Sequence, residues 1–301
     1  MSPATAGQWA ALGTAGCWAF SALAFDVAAR RLGALVLNLI RLVLAFGFLS
    51  LLAWILRGHP LPLDATPGAW AWLSLSGLVG FVFGDFCLFR AFLAIGPRLS
   101  MLMLSLAPPL TAIIGWLLLG EVLSVRNLVG MVLTVTGIAW AVMERRPAEE
   151  KAGVPARRAL ISGVVFGFCG ALGQAGGLVL SKLGMGGYDA VAATQVRVLA
   201  GIAGYAALFL LFHWWPRVRP ALRDGRALSF AAIGAFLGPC VGVSLSLYAV
   251  HRTLSGVAAS IMALTPILLI PLVVLLRRER VGIGGVAGAA VAVAGVALLF
   301  L

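Results

Sequence analysis

Residues 104–138 read LSLAPPLTAIIGWLLLGEVLSVRNLVGMVLTVTGI, and residues 262–296 read MALTPILLIPLVVLLRRERVGIGGVAGAAVAVAGV. Each stretch has a proline early in an apolar run and a glutamate 13 residues after that proline. Apolar runs match one another easily by chance, whereas prolines and glutamates in register do not. The two stretches therefore indicate an internal duplication with an offset of 158 residues. The matched residues are Pro108 and Glu121 in the first stretch, and Pro266 and Glu279 in the second.

Glycines and an arginine extend this duplication beyond the two stretches. Arg41 in the tripeptide LIR matches Arg197 in QVR with a slightly different offset. At the offset of 158, four glycines of the first half fall on glycines of the second half. These pairs are Gly80 with Gly238, Gly84 with Gly242, Gly130 with Gly288, and Gly137 with Gly295.

The composition predicts an all-α integral membrane protein. The chain is 62% hydrophobic and 11% charged, whereas soluble domains are about 45–50% apolar and about 25% charged. A membrane-spanning helix needs about 20 predominantly apolar residues, and runs such as Leu32 to Leu56 lack the alternation of β-barrel strands. We predict ten transmembrane helices. They are 9–29, 35–56, 69–94, 99–119 and 125–143, then 159–180, 190–213, 227–250, 256–276 and 282–301.

The polar stretch ERRPAEEKAGVPARR, residues 144–158, divides the chain into two halves. We assign residues 1–143 to the first repeat, 144–158 to a linker and 159–301 to the second repeat. Five spans per half is an odd number, so the second repeat would enter the membrane from the opposite side. An inverted 5+5 repeat around a central cavity is typical of secondary transporters, whose solute site lies near the bilayer midplane.

The net charge of +12 is explained by membrane topology, and we expect no nucleic-acid partner. Basic residues concentrate in the loops on one side, and such loops are usually cytoplasmic. The opposite side has only Arg57, Arg126, Lys182 and Arg252. The basic side includes Arg30, Arg31, Arg98, Arg145, Arg146, Lys151, Arg157, Arg158, Arg217, Arg219, Arg223, Arg226, Arg277, Arg278 and Arg280.

The duplicated pattern resembles the EamA-type family of the drug/metabolite transporter superfamily. The shared features are the early proline, the glutamate at the end of the same span and the glycine-rich final span, and the resemblance covers nearly the whole chain. It implies a ten-helix transporter of the bacterial cytoplasmic (inner) membrane that exports amino acids or related metabolites. The partners implied are a small-molecule substrate and the lipid bilayer.

Ionisable side chains inside the bilayer are costly and mark candidate sites. Asp85 could bind a substrate ammonium group or a coupling proton, or it could satisfy groups of a neighbouring helix. Arg90 could bind a carboxylate or serve structure, and it points about 140° away from Asp85 on a helix, so we expect no direct pair. Asp26 precedes Arg30 by four residues, which favours an ion pair at the helix end over a cation or proton site.

Arg41 and Arg197 are present in both halves and lie near span starts. We expect them to extend their charged ends toward the interface or to pair with a neighbouring helix end. Prolines free backbone carbonyls and bend helices, so Pro108 and Pro266 could act as hinges for gating, although static bends for packing are equally plausible.

Aromatic and polar side chains could form an apolar substrate cavity with few polar groups. Aromatic residues in apolar helices are nevertheless more often packing or lipid-facing groups. The candidate substrate-binding residues are Asp85, Trp18, Phe20, Phe81, Phe89, Gln174 and Tyr248.

These features favour a secondary transporter that exports small metabolites, first of all amino acids, by alternating access. Efflux of drugs or lipophilic cations is the alternative within transporters, and a membrane-embedded enzyme is the alternative from another class. No P-loop, HExxH or GxSxG motif is present, so we expect no enzyme activity, catalytic residue, metal site or cofactor. A chain with both repeats could form a cavity alone, so we expect a monomer.

The charge bias generates a topological prediction. A single cysteine placed at Ala148, in a background without the four native cysteines, should resist a membrane-impermeant maleimide in intact cells and react after permeabilisation. A cysteine placed at Thr5 should react in intact cells. The predicted orientation places the middle linker inside and both termini outside, and labelling at Ala148 in intact cells would reverse it.

Overall fold

The computed structural model describes residues 3–144, 157–277 and 282–300. Glu279 and most of the linker predicted at 144–158 lie outside these ranges. The first repeat consists of helices joined by short turns, and a π-helical segment at Leu78–Gly84 continues one of them. The helices are α1 (Pro3–Leu32), α2 (Ala34–Arg57), α3 (Pro67–Gly77), α4 (Asp85–Leu104), α5 (Ala107–Leu119) and α6 (Val125–Glu144).

The second repeat follows a similar order, with one additional short helix and with two helices where the first repeat has α4. It contains a second π-helical segment at Phe236–Gly242 and a short 3-10 turn at Trp215–Arg217. Its helices are α7 (Arg157–Met185), α8 (Ala190–Leu211), α9 (Val218–Ala221), α10 (Gly225–Ala235), α11 (Val243–Arg252), α12 (Ser255–Met262), α13 (Thr265–Arg277) and α14 (Ile283–Phe300).

The described residues include seven helices long and apolar enough to cross a membrane, and no β-strand. The π-helical segments are parts of two of them, which run continuously over Pro67–Ile95 and Gly225–Arg252. Three further apolar helices are shorter: Ala107–Leu119, Val125–Ala141 and Ser255–Leu269. The prediction of an all-helical membrane protein is confirmed.

Two predicted spans have different boundaries in the structure. We predicted a break before residue 99, whereas α4 continues to Leu104 and the chain turns at Ser105 and Leu106. The span predicted at 256–276 is likewise divided at Ala263 and Leu264. The sequences that follow, Ala107-Pro108-Pro109 and Thr265-Pro266, explain both positions. Proline has no N–H for a preceding turn and is accommodated at the first positions of a helix, so a new helix starts there.

The irregular elements repeat at the offset read from the sequence. The π-helical segments begin at Leu78 and Phe236, which are 158 residues apart. The two turns, at 105–106 and 263–264, are related by the same offset. The π-helical segment and the helix break therefore occur at the same places in both repeats.

The last helices of the two repeats, α6 and α14, are antiparallel and in close contact. A Cβ atom added to Gly137 would lie 2.4 Å from the backbone nitrogen of Ala292, and one added to Gly295 would lie 2.7 Å from the Gly130 carbonyl oxygen. Gly130, earlier in α6, contacts Gly295, whereas Gly137, later in α6, contacts Ala292, earlier in α14, so the two helices run antiparallel. Small residues allow such backbone approach in membrane helices.

Glycines of α7 make a similar contact with the first π-helical segment. A Cβ atom on Gly173 would lie 2.6 Å from Gly84 Cα, and one on Gly177 would lie 2.8 Å from Gly80 Cα. Small residues on α7 therefore form a packing face. It attaches the π-helical segment of one repeat to the first helix of the other.

Substitution of Gly137 tests the contact between α6 and α14. Gly137→Ala should lower the free energy of unfolding by about 1–3 kcal/mol, because the added methyl group meets backbone that cannot move independently. Gly47→Ala is the matched control, since nothing lies within 4 Å of its added Cβ, and it should be neutral or slightly stabilising. Denaturation of the purified protein in mixed micelles measures both. Equal effects at the two positions would contradict the assigned packing.

Candidate functional site

A cavity of about 340 Å³ lies between the two repeats. Residues of both π-helical segments line it, including Phe81 and Pro239, and both helix breaks reach its wall, at Ser105 and Ala263. Most of the remaining wall is apolar. The lining also includes Trp18, Ser21, Ala22, Phe25, Arg41, Asp85, Thr111, Gln174, Arg197, Val243, Ser246, Met262 and Thr265.

Asp85 is the centre of a buried polar group in this cavity. It is the first residue of α4, directly after the π-helical segment, and is only 7% exposed. Its Oδ2 accepts a hydrogen bond from a guanidinium nitrogen of Arg41 on α2. Its Oδ1 accepts a second one, 2.9 Å long, from Gln174 Nε2 on α7. Both carboxylate oxygens are therefore bound by donors from different helices.

Arg41 and Arg197 occupy equivalent positions in α2 and α8, and both line the cavity. Each guanidinium also lies over an aromatic ring of the wall. The Arg41 Cζ atom is 5.5 Å from the centroid of the Phe25 ring, and the Arg197 Cζ atom is 5.0 Å from that of Phe81. Such cation–π contacts hold a guanidinium in a fixed orientation.

The structure brings together six of the residues that the sequence singled out. Trp18, Phe81, Asp85 and Gln174 line one cavity, as candidates for substrate binding. Pro108 and Pro266, the candidates for gating, line the same cavity at the starts of α5 and α13.

The other candidates lie outside this cavity. Phe20 is 54% exposed and Tyr248 is 37% exposed, because each lies two residues, about 200° of helix, from a cavity residue. Phe89 packs edge-on against Phe92. Arg90 lies against the rings of Phe86 and Phe166 and, as expected, does not pair with Asp85. The expected Asp26–Arg30 ion pair is confirmed at 3.2 Å.

Sequence reasoning missed the two arginines as cavity residues. We expected Arg41 and Arg197 to reach the interface or a helix end, but both lie within the cavity wall, and Arg197 is only 5% exposed. The available signal was their position, because each arginine is the eighth residue of its helix. At that position the membrane interface lies more than one helical turn away.

Glu121 forms a second polar network, which connects the two repeats. Its carboxylate is 2.6 Å from Lys182 Nζ on α7, and it accepts hydrogen bonds from the backbone N–H and the hydroxyl of Ser255, at 2.7 and 2.9 Å. Lys182 Nζ also donates to the Thr253 carbonyl oxygen at 2.6 Å. Nearby, Gly256 packs against Ala112 of α5. These contacts join the two repeats at the end of the molecule that contains Glu121.

A hydrogen bond between loops also joins the two repeats at the same end of α7. The Tyr188 hydroxyl donates to Asp64 Oδ1 at 2.8 Å, and Arg57 pairs with Asp64 Oδ2. The hydrogen bond from Tyr188 is the main reason that the pKa of Asp64 lies below its usual value, and Arg57 lowers it further. Loops of opposite repeats are therefore connected through one carboxylate.

The helices, the repeats and the enclosed cavity define a multi-pass membrane protein. The model of the EamA-like transporter family matches residues 5–143 and 161–301, so the chain belongs to this transporter family. The expected resemblance to the drug/metabolite transporter superfamily is thereby confirmed.

Comparisons with individual proteins add the fold alone. No curated protein sequence matches the chain. Among solved structures, 28 chains match. One of them, described only as a crystal structure of a protein, is 18% identical, with a TM-score of 0.77 over 97% of this chain and 95% of that chain.

A double-mutant cycle tests the Glu121–Lys182 pair. Glu121→Gln, Lys182→Met and the double variant should give a coupling energy above about 1 kcal/mol, because both side chains are largely buried and share further partners. The exposed Asp26–Arg30 pair is the control, and its cycle should give less than about 1 kcal/mol. The free energy of unfolding in mixed micelles is the measurement. A Glu121–Lys182 coupling no larger than the control would show that this network does not connect the repeats.

Proposed function

We propose that the protein is a secondary transporter that exports small metabolites, most of all amino acids, by alternating access. The observation that supports this best is the cavity between the repeats, with both π-helical segments and both helix breaks in its wall. Discontinuous helices at the repeat interface are the usual place of solute sites in secondary transporters.

The membrane arrangement we propose is ten spans in an inverted 5+5 repeat. The seven long helices and three shorter apolar helices supply the required number of spans. The antiparallel contact of the equivalent helices α6 and α14 agrees with a two-fold axis in the membrane plane. From the basic loops we propose that both termini lie outside the bacterial cytoplasmic membrane, and that the monomer is the working unit.

Alternating access needs one end of the cavity closed while the other can open. The contacts of Glu121, Lys182 and Ser255 close one end and join the repeats. The helix breaks before Pro108 and Pro266 are positions at which α5 and α13 can change direction, because a proline removes the hydrogen bond that would restrain the turn. In this mechanism the Glu121 network breaks when the repeats rock apart.

The cavity chemistry supports amino acids as the first substrate class. Apolar and aromatic side chains form most of the wall, and polar groups are few: an ion pair, a second arginine, an amide and hydroxyl groups such as Thr111. Such a wall would also accept a lipophilic drug. The lining contains two arginines and one aspartate, however, and this excess of positive charge disfavours a lipophilic cation.

Counterflow in proteoliposomes tests the function. Vesicles preloaded with an unlabelled amino acid should accumulate the labelled one in a saturable manner, and protein-free vesicles should not. The panel should contain phenylalanine, leucine and threonine, together with tetraphenylphosphonium as the lipophilic cation. Exchange of the cation without exchange of any amino acid would replace the proposed substrate class.

Asp85 variants connect this transport to the cavity. Asp85→Asn should reduce exchange at least ten-fold, because it leaves the Arg41 guanidinium without its counter-charge. It also lowers stability, since breaking a buried pair costs about 3–5 kcal/mol. The double variant Asp85→Asn/Arg41→Gln removes both charges and should recover stability but not transport. Full exchange by a folded Asp85→Asn variant would remove Asp85 from the mechanism.

A further inference from the structure

Arg197 is a buried cation without a counter-charge among the described residues. Arg197 is 5% exposed, and its Nε atom has no hydrogen-bond partner among the described residues. The described ion pairs include the other cavity arginine, Arg41, but not Arg197. Its Cζ atom lies 5.0 Å from the centroid of the Phe81 ring.

The internal repeat explains why one arginine is paired and the other is not. Arg41 and Arg197 are equivalent, and Asp85, which neutralises Arg41, corresponds to Val243 in the second repeat. Val243 also lines the cavity. The second repeat therefore has an arginine, Arg197, at the position equivalent to Arg41. At the position equivalent to Asp85 it has the apolar side chain of Val243.

The charge of the cavity follows from these three residues. Arg41 and Asp85 neutralise each other, and Arg197 leaves one excess positive charge in a wall whose described residues include no other ionisable group. A charge removed from water without a partner destabilises a protein by several kcal/mol. A solute that supplies a carboxylate would remove this cost at the moment it binds.

We propose that Arg197 binds the carboxylate of the transported solute, an assignment that deepens the function proposed above and rests on it. Guanidinium presents several N–H donors in one plane, which matches the two oxygens of a carboxylate. The Phe81 ring packs against this guanidinium, with 5.0 Å between the ring centroid and Arg197 Cζ, and both residues line the cavity. Solutes without a carboxylate gain nothing from this subsite.

Amino acids fit this arrangement for a second reason. Asp85 accepts hydrogen bonds from Arg41 and Gln174, and a carboxylate has about four acceptor positions. The solute ammonium group can therefore use a remaining position on Asp85 while its carboxylate binds Arg197. Both charged ends of a zwitterion then meet the opposite charge within one cavity.

Binding of two ligands of equal shape tests the subsite without transport. 3-Phenylpropionate and 3-phenylpropionamide have nearly the same size and shape, but the amide is neutral and has an NH2 donor in place of one carboxylate oxygen. Ligand-dependent melting of the purified protein in detergent gives both affinities at constant ionic strength. Wild-type protein should bind the carboxylate at least ten-fold more tightly than the amide. Arg197→Gln should reduce this ratio to about one, and Arg197→Lys should keep part of it.

The unliganded variants separate a binding role from a structural one. Arg197→Gln removes an unpaired buried charge, so its melting temperature without ligand should equal or exceed that of the wild type. Arg217→Gln is the control, because Arg217 also lies over an aromatic ring, Trp214, but in a loop. It should change neither the melting temperature nor the preference for the carboxylate.

Several results would overturn the assignment. They are an unchanged carboxylate preference in Arg197→Gln, no carboxylate binding by the wild type, a lower melting temperature of Arg197→Gln without ligand, or equal stabilisation by inorganic phosphate.

Measurements of transport distinguish a failure of this subsite from a failure of the function proposed above. If amino acids are exchanged and Arg197→Gln keeps the wild-type KM, the subsite is wrong and the transporter stands. If no amino acid is exchanged but carboxylates bind through Arg197, the subsite stands and amino-acid export is wrong.

Discussion

In hydrocarbon every backbone N–H and C=O must find its partner within the protein, and the rest of this structure depends on that constraint. It requires helices throughout the membrane and allows irregular backbone only where protein or a cavity covers it. The π-helical segments and helix breaks are consistent with this rule, since all four reach the wall of the internal cavity. Widened turns of this kind often mark functional sites.

Hydroxyl groups on neighbouring helices supply part of the compensation. Ser21 donates to the carbonyl oxygen of Gly234, just before the second π-helical segment, and Ser76 donates to that of Gly177. Ser76 and Gly234 are 158 residues apart, so equivalent positions form a hydrogen bond in both halves with donor and acceptor exchanged. The repeat therefore conserves the contact geometry without conserving the side chain that makes it.

Sequence reasoning could predict the elements that depend on composition and register. Apolar runs predict helices, and Pro108 with Pro266 reveals the repeat because a proline has few permitted places in a helix. The exact breaks were missed because the spans were drawn from apolar runs, and residues 99–119 continue through the turn at Ser105 and Leu106 without a charged residue. The prolines that follow each turn were the available signal. The sequence also did not show which face of each helix points toward the cavity. Phe20 and Tyr248 were therefore grouped with cavity residues, although both lie on exposed faces.

The pairing of charges lies further from the sequence. Asp85 and Arg41 are separated by 44 residues, and no local pattern says which helices adjoin. Duplication suggested that Arg41 and Arg197 share a structural task, since both halves have them. That inference holds for their position but not for their chemistry, because a partner supplied by another helix can be present for one copy and absent for the other.

Symmetry in the backbone and asymmetry in the charges have different physical origins. Under the proposed alternating access, two repeats that rock about a common axis need equivalent hinges and equivalent close contacts, which accounts for glycines, prolines and π-helical segments that occur twice. The proposed amino-acid solute needs the opposite, because it presents unlike groups at its two ends. Arg41 is neutralised by Asp85, whereas Arg197 has only the apolar Val243 at the equivalent position of its repeat, so the charge of the described wall is unequal between the two repeats. A symmetric wall with two ion pairs would be more stable and would offer such a solute no preferred orientation.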